Sequence, residues 1–167
     1  EFESLNNILA DYPEHFTVER LITEIGPNSE IDSTYDTPFS GIHLIALSTQ
    51  LYGRVHRIFS FEAIDGPSPR SDKSTGWGIL THDGRAKPRY YAFKFLNSLS
   101  GTQLSHSGDG TWVSSLSAKK DNTIQTIIVN YDPKSRHIET TPLNYQNLTP
   151  GKYNLKTTQY LGKTTQK

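Results

Sequence analysis

The chain has 167 residues, with seventeen Lys and Arg balanced by seventeen Asp and Glu, and it contains neither cysteine nor methionine. Balanced charge offers no basic field to phosphate backbones or anionic lipid, no apolar run approaches the roughly 18 residues of a membrane span, and the N-terminus lacks a basic-then-apolar signal, so neither nucleic acid nor membrane is expected as a partner. Without cysteine there can be no disulfide, thiolate nucleophile or cysteine-bound zinc, and the compartment stays open, an extracellular one being favoured.

The length suits one domain or two small ones, with ample chain to bury a core. A chain without methionine that opens Glu-Phe-Glu inside a helical pattern is expected to be a processed, tag-cleaved or truncated product. Phe2, Leu5, Ile8 and Leu9 fall at helical spacing, and Tyr12-Pro13 ends that pattern because the residue before proline is pushed out of the helical region. Val18 to Glu24 reads as a buried strand that brings a lone carboxylate to its carboxyl end, where Gly26-Pro27 stops it. In Asp36-Thr37-Pro38, Thr37 can cap a helix and Pro38 can take its first position. The broadly apolar run Phe39 to Tyr52 follows as a largely covered helix that Gly53 stops. Val55 to Phe61 returns as a second strand carrying Ile58, Phe59 and Phe61, so strand, helix and strand form a βαβ unit.

Asp65-Gly66-Pro67-Ser68-Pro69 begins a loop of about fifteen residues, too long for a routine connection, which is read as a functional rim loop. Gly76-Trp77-Gly78-Ile79-Leu80-Thr81 leads into the His82-Asp83-Gly84 turn. Pro88 then opens a helix with Tyr91, Ala92, Phe95, Leu96 and Leu99 on one face, closed by Gly101. From Thr111 the period changes to two. Thr123 to Tyr131 and Tyr153 to Tyr160 are the clearest strands, with Trp112 to Ala118 and Ile138 to Tyr145 beside them, separated by turns at Lys120-Asp121-Asn122, Asp132-Pro133 and Pro150-Gly151. The prediction is an α/β part over residues 1–101 and an all-β part over 102–167, an antiparallel β-sandwich, with the Ser/Gly-rich stretch Gly101 to Gly110 between them.

Thr23-Glu24, Ile58-Phe59-Ser60-Phe61, Gly76-Trp77-Gly78-Ile79-Leu80-Thr81, Lys87-Pro88 and Tyr91-Ala92-Phe93-Lys94-Phe95-Leu96-Asn97 occur in this order. In that arrangement the chain resembles the C-terminal third of glycoside hydrolase family 39, a clan A family that includes β-xylosidases. The resemblance implies the last elements of a (β/α)8 barrel followed by a β-sandwich. Residues 1–12 would be the sixth barrel helix, and the strands of Glu24 and Phe59 the seventh and eighth strands. It also implies that Glu24 is the nucleophile of a retaining mechanism, which needs two carboxyl groups only about 5 Å apart. The family's acid/base belongs to an Asn-Glu pair after the fourth strand, and no Asn-Glu occurs in this chain. The chain also departs from the family at Ile25, where an aromatic residue often follows the nucleophile, and at Phe59, where tryptophan is common.

Each candidate has a plainer alternative. Glu24 can be a strand-terminal acid paired with an arginine or capping the next turn. Glu62 ends the neighbouring strand and is read as a pocket-rim or ion-pair residue rather than the second catalytic acid. Trp77 and Phe59 can form the apolar wall on which a sugar ring stacks, or fill a core; Phe61 is read as core. Asp65 and Arg70 can bond sugar hydroxyls or be solvated loop charges.

The six histidines (15, 43, 56, 82, 106 and 137) show no paired ligand spacing, so no metal is expected, and no cofactor is implied. No Gly-x-Ser-x-Gly elbow, phosphate loop or dinucleotide fingerprint occurs. Asn147-Leu148-Thr149 matches a glycosylation acceptor. The expected function is therefore that of a retaining glycoside hydrolase acting on an oligosaccharide or glycoside, catalytically incomplete as this chain alone. Its unpaired parallel strands call for a complementing N-terminal barrel fragment or for self-association. The competing expectation is a non-catalytic carbohydrate-binding or structural module that works through Trp112, Tyr131, Tyr145 and Tyr153.

Overall fold

A computed structural model describes residues 2–67, 76–108 and 110–163. Arg70 and the rest of the rim loop over 68–75 lie outside the described residues, as does the side chain of Phe2. The order of elements is α1 (Phe2–Ala10), β1 (Leu21–Ile25), α2 (Pro38–Leu51), β2 (Arg57–Ser60), α3 (Pro88–Leu96), β3 (Thr102–Gln103), β4 (Val113–Lys120) and β5 (Thr123–Asn130). The result is a mixed α/β arrangement with two small sheets.

α1 forms where the helical spacing places it, yet Leu5 and Ile8 of its apolar stripe remain exposed. β1 starts three residues later than Val18. Residues 13–18 turn tightly instead, with Pro13–His15 in a 3-10 turn and the Val18 N–H bonded to the His15 carbonyl. β1 and β2 are parallel and joined through α2, as the βαβ reading requires. β2 is shorter than the predicted Val55 to Phe61. Pro38 opens α2 with Thr37 in the N-cap position and extended, but the Thr37 side chain makes no cap bond, its hydroxyl donating instead to the Thr34 carbonyl at 3.0 Å.

α2 is apolar nearly all round because it lies between α3 and the β4–β5 hairpin. Leu44, Ile45 and Ala46 meet Ala92 of α3 on one side and Ile127 and Val129 of β5 on the other. Burial of each large aliphatic side chain here contributes roughly 1.5–3 kcal/mol. Tyr160 completes this core, with its ring edge-on to Phe95 and its hydroxyl donating to the Pro88 carbonyl at 2.7 Å.

Gly101 does not close α3, which ends at Leu96. It sits at the entry to β3 with φ +108°, where a side chain would run into the backbone of Lys119. The second sheet has three antiparallel strands in the order β3-β4-β5. Ile138 to Tyr145 and Tyr153 to Tyr160, predicted as strands, are not strands in the structure. Ile138 and Leu155 are 97% and 87% exposed. Alternating sequence prepares a segment for a sheet, but a strand also needs a partner ladder, and these segments have none among the described residues. No helix among the described residues is long and apolar enough to cross a membrane.

Candidate active site

β1 carries Glu24 through a break in its pairing. Ile22 is opposite Ile58 and Ile25 opposite Ser60, so three steps along β1 match two along β2, and the extra residue falls at Thr23-Glu24. Such a bulge re-aims side chains. Ile22 and Ile25 are partly covered, whereas Thr23 and Glu24 are both exposed. Ser60, opposite Ile25, meets a side chain of α3, so that pair faces the helices. Alternation then turns Phe59 to the opposite face. No hydrogen bond or ion pair ties the Glu24 carboxylate to the described residues.

Gly26 ends β1 because Tyr35 lies against it. Tyr35 is buried, donates its hydroxyl to the Asn28 carbonyl, and leaves no space for a Cβ at position 26. Burial raises the pKa of this phenol, and the Asp32 and Glu24 carboxylates add to the rise against the opposing Asn28 hydrogen bond and Arg89 charge.

The aromatic candidates stand at the ends of the strands. Phe59 is 49% exposed, and Phe61, expected in the core, is 37% exposed with its ring 5.7 Å from that of Trp77. Trp77 is partly buried and its Nε1 donates to the Glu30 carbonyl at 3.3 Å. Glu62, partly exposed, is fixed beside Trp77 by backbone bonds, from its N–H to the Trp77 carbonyl (3.1 Å) and from Ile79 N–H to its carbonyl (2.9 Å).

Asp65 is not a solvated loop charge. It is buried and accepts from Gly78 N–H at 2.6 Å and from Lys87 Nζ at 3.2 and 3.1 Å. Lys87 reaches Asp36 as well, at 2.9 Å. Both carboxylate oxygens of Asp65 are thus engaged in holding the loop. The glycines around Trp77 follow from this packing, because a Cβ on Gly76 would stand 2.7 Å, and one on Gly78 2.7 Å, from Asp65 Oδ1.

Two residues that sequence reasoning did not single out complete the site. Lys87 and Arg89 are almost wholly buried, and both stand at the start of α3, where the helix macrodipole opposes positive charge. That conflict, legible in Lys87-Pro88-Arg89, is the signal that could have found them. Arg89 Nη1 donates to the carbonyls of Phe61 (2.8 Å) and Trp77 (3.1 Å), and Nη2 to the Ile25 carbonyl (3.2 Å) and to Ser60 Oγ.

The aromatics of the alternative module are differently placed. Trp112 stacks on His137 at 5.1 Å, and Tyr131 packs between Phe39 and His43, so both partly buried rings have aromatic partners within the chain. Tyr145 and Tyr153 are exposed, their hydroxyls bonded to Thr126 and to the Thr149 carbonyl. Among the described residues, no group of three or more His, Asp or Glu is arranged to hold a metal ion.

No family profile and no curated sequence matches the chain. Solved structures do. A GH39 β-xylosidase from Caulobacter crescentus is similar at 22% identity and TM-score 0.55 over 66% of this chain and 25% of that one. A GH39 enzyme from Xanthomonas axonopodis pv. citri is similar at 21% identity and TM-score 0.53, over 66% and 22%. A monomeric β-xylosidase from Caulobacter crescentus CB15 is similar at 20% identity and TM-score 0.54, again over 66% and 22%. The likeness is one of fold, and the chain spans about a quarter of the length of these structures.

Proposed function

We propose that this chain is the nucleophile-bearing portion of a retaining glycoside hydrolase barrel, with Glu24 as the nucleophile. The observation that carries the proposal is the bulge at Thr23-Glu24, which leaves a carboxylate exposed at the carboxyl end of a parallel strand, with no hydrogen bond or ion pair to it among the described residues. Carboxyl ends of parallel strands are where barrel enzymes gather their catalytic groups. Parallel sheets are normally covered on both faces, so the exposed Leu21 and Phe59 mark the side on which the rest of a barrel would stand.

In the completed barrel, Glu24 attacks the anomeric carbon while the aglycone oxygen leaves with a proton from a second carboxylic acid. That acid then takes a proton from water as the glycosyl-enzyme is hydrolysed. The acid belongs to polypeptide outside these 167 residues. Phe59, Phe61 and Trp77 supply an apolar wall for the sugar ring, and Glu62 forms the rim beside Trp77. A complementing barrel segment, or a second copy of the chain, covers the open strand edges.

The test is chemical rescue in the completed barrel. Glu24→Gly should abolish hydrolysis of an aryl glycoside, and azide should restore turnover as a glycosyl azide of inverted configuration. Undiminished hydrolysis by Glu24→Gly would refute the assignment.

A further inference from the structure

We infer that Arg89 is a positioning residue of the Glu24 rim: one buried guanidinium ties together the ends of β1 and β2 and the Trp77 loop, and so sets the spacing between Glu24 and its aromatic wall. That this spacing serves a sugar rests on the glycosidase reading; the clamp itself does not.

Arg89 is 1% exposed, and its four acceptors come from three separate stretches of chain. Ile25 O follows Glu24 directly, Ser60 Oγ and Phe61 O end β2, and Trp77 O belongs to the loop returning from the rim. Lys87, two residues earlier, continues the same hold, with its Nζ donating to the Gly76 carbonyl at 2.8 Å. The guanidinium also lies 5.5 Å from the centre of the Tyr35 ring, which packs under Gly26, so the residues after Glu24 are held from both sides. Only a planar fork with several fixed donors can hold carbonyls in these different directions; an ammonium is a point charge on a flexible stem. A cation in the first turn of α3 runs against the helix dipole, so the helix itself gives no reason for it.

The absence of cysteine makes the spacing measurable. Glu24→Cys accepts a single bimane label, whose emission tryptophan quenches on close approach, and Trp112→Phe leaves Trp77 as the only tryptophan, so that the Trp77→Phe comparison isolates its share of the quenching. With Arg89 present, the bimane should be quenched, and Trp77→Phe should relieve it. Arg89→Lys, which keeps the charge but not the fork, should abolish the quenching while helical circular dichroism and cooperative unfolding persist. Should Arg89→Lys fail to fold, Ser60→Ala, which removes one acceptor of four, should show partial loss. Unchanged quenching in the folded variant, or none in the Arg89 protein, would overturn the inference. A clamp upheld alongside failed azide rescue would remove only the glycosidase reading.

Discussion

The hydroxyl of Tyr35 occupies the space in which a Cβ on Gly26 would stand, so the strand that carries Glu24 can end there only on glycine. Tyr35 cannot swing aside freely, being 1% exposed and bonded to the Asn28 carbonyl. Gly26→Ala is therefore expected to cost about 1–3 kcal/mol by overpacking, read as a lower urea midpoint with unchanged slope. Tyr35→Phe combined with Gly26→Ala should recover part of the loss.

Lys87 stands between two carboxylates, and its side chain and that of Asp65 are 3% and 1% exposed. Removing one partner of a buried pair leaves an uncompensated charge, so Lys87→Met should cost about 3–5 kcal/mol in denaturant unfolding. The doubly substituted Lys87→Met, Asp65→Leu protein should be more stable than the single variant. A Lys87→Met protein as stable as the parent would show that the pair does not anchor the loop.

These two sites show how unevenly the sequence discloses the molecule. α1, α2, α3 and the parallel strands were legible because apolar runs there are punctuated by proline and glycine, as at Tyr12-Pro13, Gly26-Pro27 and Thr37-Pro38. Position 24 was legible as the end of a strand, but the bulge that exposes it was not, since a bulge is a property of pairing. Tyr153 to Tyr160 alternates well and still forms no ladder, because alternation says nothing about a partner. For Asp65 the sequence offers a sugar ligand or a solvated loop charge, and neither is a buried ion pair; only the fold brings Lys87 to it.

His43 gives the first pH prediction. Burial, and then the positive charge of Arg89, lower its pKa to about 4 from an ordinary 6.5. A base with a depressed folded-state value binds fewer protons folded than unfolded between those limits. Stability is thus lost as pH falls from about 6.5 to about 4. His43→Gln should flatten urea midpoints across that window.

Asp132 governs a lower window. Burial alone would raise its pKa, but the N–H groups of Lys134 and Arg136 and the His137 imidazole bring it down to about 2. A depressed carboxylate stabilises the fold above its unfolded value of 3.8, and that contribution is lost as pH falls towards 2. Asp132→Asn should remove this acid limb while leaving the His43 window intact, as followed by thermal unfolding between pH 4 and pH 2.

The most direct measurement is to incubate the completed barrel with a slowly turned-over 2-deoxy-2-fluoro glycoside and locate the covalent adduct by peptide mass spectrometry. The account predicts one adduct, on Glu24, absent from Glu24→Gln. An adduct on Glu30 or Glu62, or turnover with no adduct on this chain, would contradict it.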